Sequence, residues 1–169
     1  MSIANEIKEI KNKLVEIEKR IQQLEKPPAE HAKSMENKSS DMKSGLAELS
    51  KNVGVSEENI KKIYDLEQGS FTLVKIMGED DREKIKNMAL LVLLGNKYLL
   101  GNDEVLSQEI RRNVAENKIP LDNFATCLNK ITPTLIRKKG KIRSPKTTYR
   151  LTTLGKANAK DLLNKACEE

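Results

Sequence analysis

Residues Ile136 to Thr152 read "IRKKGKIRSPKTTYRLT". Between Arg137 and Arg150 this stretch holds seven basic residues and no acidic one. Its ends behave differently from its middle. "TLIRK" (134–138) and "TTYRLT" (147–152) alternate apolar and polar side chains, the period of a half-buried strand. Gly140 to Lys146 is rich in turn residues. The stretch therefore reads as a hairpin with a basic tip.

Working outward, helices flank it. "LGKANAKDLLNKA" (154–166) places Ala159, Leu162, Leu163 and Ala166 on one helical face. On the other side, "LDNFATCLNKI" (121–131) buries Leu121, Phe124, Leu128 and Ile131, and Pro133 helps to end it. A break at "KIP" separates it from "NDEVLSQEIRRNVAEN" (102–117), with Asn102 or Asp103 as the expected cap and Leu106, Ile110 and Val114 inward. Before that, "DDREKIKNMALLVLLGNKYLL" (80–100) opens on an acidic cap and turns apolar on most sides, as a central core helix does. The order is helix, helix, helix, hairpin, helix.

With that order, residues 82–166 resemble a winged helix-turn-helix domain. The ending "YRLTTLG" is similar to the second wing strand and the turn into the last helix of many bacterial and archaeal winged-helix regulators. The resemblance implies that helix 121–131 enters a DNA major groove and that the hairpin tip lies along the backbone or the minor groove. Once the buried positions are removed, Asp122, Asn123, Thr126, Asn129 and Lys130 remain outward. Asn pairs with adenine, and Lys reaches guanine or phosphate. Asn123, Thr126, Asn129 and Lys130 are the expected reading residues, opposed slightly by Asp122, while Cys127 reads as a small packed side chain. Arg137, Lys138, Lys139, Lys141, Arg143, Lys146 and Arg150 are the expected phosphate anchors of the wing.

A second segment, "LAELSKNVGVSEENIKKIYDL" (46–66), resembles the helix-turn-helix of bacterial and archaeal repressors. A turn glycine, Gly54, is followed six and nine residues on by Ile60 and Ile63. Ser56 is a good N-cap, with Glu57 and Glu58 at the positive end of the dipole. Acidic residues oppose phosphate binding, so this unit reads as structural or protein-facing. "SFTLVKIMG" (70–78) follows, with the composition of a short strand.

The front of the chain follows another rule. Ile3, Ile7, Ile10, Leu14, Ile17, Ile21 and Leu24 recur at spacings of 4 and 3 without an error. Ile7, Leu14 and Ile21 fall at a, the other four at d, which predicts a parallel coiled coil. The g-to-e pairs of an in-register assembly are Glu6 with Lys11, Lys13 with Glu18 and Arg20 with Glu25, all attractive. Ile at most a and d positions leaves two to four chains open. "KPPAEHAKSMENKSSDMKSG" (26–45) breaks the helix with two prolines and reads as a flexible linker.

The expected class is thus mainly α: coiled coil 1–25, linker 26–45, a helix-turn-helix-like subdomain 46–81, and a winged domain 82–169 in which a small β-hairpin accompanies the helices. Composition agrees with it. Charged residues make up 33% of the chain, aromatics 3%, and there is no Trp. The net charge is +6, and residues 136–169 alone carry ten basic and three acidic side chains. That asymmetry points to a polyanionic partner.

Little suggests an enzyme. The single His31 lies in the linker, no glycine-rich phosphate loop is present, and Cys127 and Cys167 form no CxxC pair. No cofactor, metal or small-molecule substrate is expected. The longest apolar run, "MALLVLL" (88–94), is too short for a bilayer. The chain reads as a cytoplasmic, nucleoid-associated homo-oligomer that binds double-stranded DNA, as a transcription regulator or a nucleoid or replicon factor. Two alternatives stay open: a coiled-coil adaptor whose winged domain binds protein, and duplex RNA binding.

Overall fold

A computed structural model of the chain describes residues 42–67, 69–140, 144 and 146–168. The expected coiled coil, His31, most of the linker, and the wing residues Lys141 and Arg143 lie outside the described residues.

The described part is mainly helical, with six helices and two small antiparallel sheets. The first helix, α1, covers 42–53 and so already runs inside the span read as linker. The reason is its apolar stripe: Met42, Leu46, Leu49 and Val53 are all buried, one turn longer than the stripe from Leu46 onward. Gly54 makes the turn at φ 79°. Helix α2 (Glu57–Ile63) follows, capped by Ser56, whose hydroxyl accepts from the Asn59 N–H.

Helix α2 then ends earlier than its pattern suggests. Strand β1 (Tyr64–Glu67) begins at once and pairs antiparallel with β2 (Ser70–Leu73). Tyr64 and Phe71 meet edge to face, with ring centroids 5.2 Å apart, over the long helix α3 (Asp81–Leu99). The Tyr64 hydroxyl donates to the Leu91 carbonyl at 2.9 Å. The rings approach so closely because α3 carries Gly95 there: a Cβ would stand 2.6 Å from the Phe71 ring and 2.8 Å from that of Tyr64.

Asp80 caps α3 by accepting from the Glu83 N–H at 2.7 Å. From Met88 to Asn96 every residue of α3 is buried. It packs against α4 (Ser107–Glu116), α5 (Phe124–Ile131) and α6 (Thr153–Glu168). The expected start of α4 at Asn102 or Asp103 is corrected here. Residues Val105–Leu106 form a short strand, β3, and the helix begins only at Ser107, because that segment is drawn into a sheet with the hairpin. Likewise α5 begins at Phe124 rather than Leu121, and Asn123 stands at its cap position.

The hairpin strands are β4 (Ile136–Lys139) and β5 (Thr148–Leu151), and the three-stranded order is β3-β5-β4. The element order expected for 82–166 is therefore present, with β3 added. One core of buried residues runs from Leu46 through α3 to Ala166. Among the described residues no helix is long and apolar enough to cross a membrane.

Candidate functional site

Helix α5 divides cleanly. Phe124, Cys127, Leu128 and Ile131 are buried at spacings of 3, 1 and 3, the inner stripe of a two-turn helix. Ala125, Thr126, Asn129 and Lys130 are exposed on the other side. Burial raises the Cys127 thiol above its ordinary range, as befits a packed side chain. Asp122 is exposed and Asn123 half-buried, both in the turn before the helix.

The exposed side of α5 borders an open cleft of about 600 Å³ shared with α4 and the hairpin. Ala125 and Asn129 line it from α5, Asp122 from the turn before that helix, Arg111 from α4, and Lys138 and Tyr149 from the strands, while Asn123, Thr126 and Lys130 are not part of its lining. Lys138 and Tyr149 are direct cross-strand partners and so share a sheet face. Arg111 lies over the Phe124 ring, 4.4 Å from its centroid, which holds an exposed guanidinium at the mouth of the cleft. The hairpin is fixed against α4 by the Ser107 N–H, which donates to the Thr147 carbonyl at 2.9 Å. At the other end of β5, the Thr152 hydroxyl donates to the Thr134 carbonyl and accepts from the Gly155 N–H. Gly155 is needed there, since a Cβ would fall 1.8 Å from the Leu135 carbonyl oxygen.

The expected wing cations do not form one patch. Strand alternation sends Lys138 toward the cleft and Arg137, Lys139 and Arg150 to the opposite sheet face. Lys146 is exposed on the return to β5. Lys139 is engaged: its Nζ donates to both Glu104 oxygens at 3.2 Å, and the Thr148 hydroxyl donates to the same carboxylate. The Lys139 hydrogen bond, seconded by that of Thr148, holds the Glu104 carboxyl below the usual range. Lys97 and Asp103 pair in the same way near Arg150, and the lysine hydrogen bond lowers the Asp103 carboxyl. Such exposed pairs contribute little stability but do set which cations are unoccupied.

Ala125 and Arg111 are among the cleft residues not foreseen in the sequence. Ala125 is left outward by the same subtraction of buried positions that yields Thr126 and Asn129, but it offers no polar group. Arg111 had a signal, since it is flanked by the inward Ile110 and Val114, but its place against Phe124 is a tertiary fact. No family model, no curated protein and no solved structure matches this chain.

Proposed function

We propose that residues 82–168 form a winged helix-turn-helix unit and that the protein is a homo-oligomeric binder of double-stranded DNA. In this reading it serves as a transcription regulator or a nucleoid or replicon factor. The observation that carries it is the cleft shared by Asn129 and Ala125 of α5, Lys138 and Arg111, with Thr126 and Lys130 exposed on the same helix outside it. Asn129 and Thr126 have the chemistry to read base edges, Ala125 to meet a thymine methyl, and Lys130, Lys138 and Arg111 to neutralise phosphate. Lys146 adds charge at the hairpin tip. The heptads of 1–24 would join several such units in parallel, and avidity would follow from the tether.

Gel-shift titrations on short random duplex DNA, duplex RNA and single-stranded DNA, repeated across a salt series, test it. Duplex DNA is expected to bind best, with affinity falling steeply as salt rises. Changing Lys138→Gln should reduce the log–log salt slope by about 1. Binding that is flat with salt, or equal on duplex RNA, would sink the reading.

A further inference from the structure

The sheet face turned away from the cleft carries its own charge. Arg137 stands directly opposite Arg150 in the β4-β5 ladder, and both are exposed. Like charges directly opposite each other destabilise an antiparallel pair. Acidic neighbours relieve this one only in part: the Glu104 and Asp103 carboxylates both attract Arg150 without forming an ion pair with it. Among the described residues neither guanidinium has an ion-pair partner: Glu104 is engaged by Lys139 and Thr148, and Asp103 by Lys97. A concavity of about 500 Å³ opens beside this face, lined by Arg137, Lys139, Thr148 and Arg150 together with Glu104, and bordered by Lys138 and Tyr149, which it shares with the cleft. Beyond Arg150 the positive strip continues, because Lys97 and Lys156 line the next depression with it. The charged residues lining the two depressions, Arg137, Lys138, Lys139, Arg150, Lys97 and Lys156 against Asp103 and Glu104, leave a net charge of +4 (six minus two).

Such an arrangement is unfavourable alone and favourable around an anion. Guanidinium forks match phosphate oxygens bidentately, and a phosphate set between two opposed arginines replaces repulsion with attraction. Lys138 and Tyr149 border both this concavity and the cleft, but α5 and Arg111 line the cleft alone. A duplex seated on α5 and Arg111 therefore leaves Arg137, Lys139 and Arg150, which alternate to the other face, uncovered.

We propose that the outer sheet face, centred on Arg137 and Arg150, holds the phosphate backbone of a second DNA duplex, so that one domain bridges two. This rests on the reading of α5 as the first duplex site. The occupant is argued from charge complementarity: a strip of cations in excess over its carboxylates suits a repeating polyanion rather than a single small ion.

The test uses the full-length protein in two assays. One is affinity for a single short duplex. The other is capture of a labelled free duplex by a surface-tethered one. Arg137→Gln with Arg150→Gln is expected to lower capture by about tenfold while shifting single-duplex affinity less than about threefold. Arg137→Lys with Arg150→Lys, which keeps the charge but not the fork, should fall between the wild type and the Gln pair in capture. Oligomers could also bridge through two α5 faces, so the same pairs are compared in the Ile10→Asp, Ile17→Asp background. Capture there must still depend on Arg137 and Arg150. Full capture by the Gln pair overturns the proposal, as does no capture by the wild type. A parallel loss of single-duplex affinity also overturns it, because the face would then belong to the first site. If instead Lys138→Gln and Asn129→Ala leave single-duplex affinity intact, it is the α5 reading that fails.

Discussion

The two hairpins of this chain are built alike and used in opposite ways. In β1-β2, Tyr64, Phe71 and Leu73 all turn inward, and the rings wedge over Gly95 of α3. Its outward residues include Asp65 and Glu67. In β4-β5, Ile136 and Tyr149 are buried, and most remaining positions present cations. A lone two-stranded hairpin is marginal in water, so each needs a tether. The first is held by its aromatic rings. The second is held by a third strand, β3, and by the Ser107–Thr147 backbone hydrogen bond. A hairpin secured at its margin has side chains to spare for a ligand, whereas one secured through its side chains does not.

Stability measurements can break that comparison. The largest effect is expected at Phe71→Ala, which empties the wedge and should cost about 3–5 kcal/mol in urea unfolding. If the loss is below about 1 kcal/mol, the front hairpin is not a packing element. Next comes Asn113→Ala. The buried Asn113 side chain accepts from the Leu73 N–H at 3.2 Å, and its removal strands that donor, for about 1–3 kcal/mol. The smallest effect has the opposite sign. Arg150→Thr relieves the cross-strand repulsion with Arg137 and should raise stability by about 0.2–1 kcal/mol, read as a small upward shift in thermal midpoint. A fall instead would mean that Arg150 is a structural residue.

Much of the helical frame was legible because it depends on local period. The stripes of α3, α5 and α6 and the caps Ser56 and Asp80 needed only the rules of one helix. What escaped depended on distant partners. Tyr64 continues the register of Ile60 and Ile63, so "YDLE" reads as more helix until Phe71 and Leu73 are seen pairing with it. Strand β3 is two residues long, too short for any period, and exists because β5 lies beside it. The outward face of α5 could be found by subtracting buried positions. The division of the wing cations could not, because alternation says which residues share a face but not which face meets α5. The heptads of 1–24 and the tip cations Lys141 and Arg143 lie outside the described residues.

One small device has a wider consequence. Asn113 and Asn117, one turn apart on α4, grip Leu73 from the side away from β1: the first accepts from its N–H, and the second donates to its carbonyl at 2.9 Å. Two amide side chains thereby imitate the backbone of a neighbouring strand. An open strand edge is a template on which another chain can add itself. Here that template is already occupied at Leu73 by α4. At that position the strand has no free backbone group to offer an incoming strand, so α4 guards this end of β2 against strand addition.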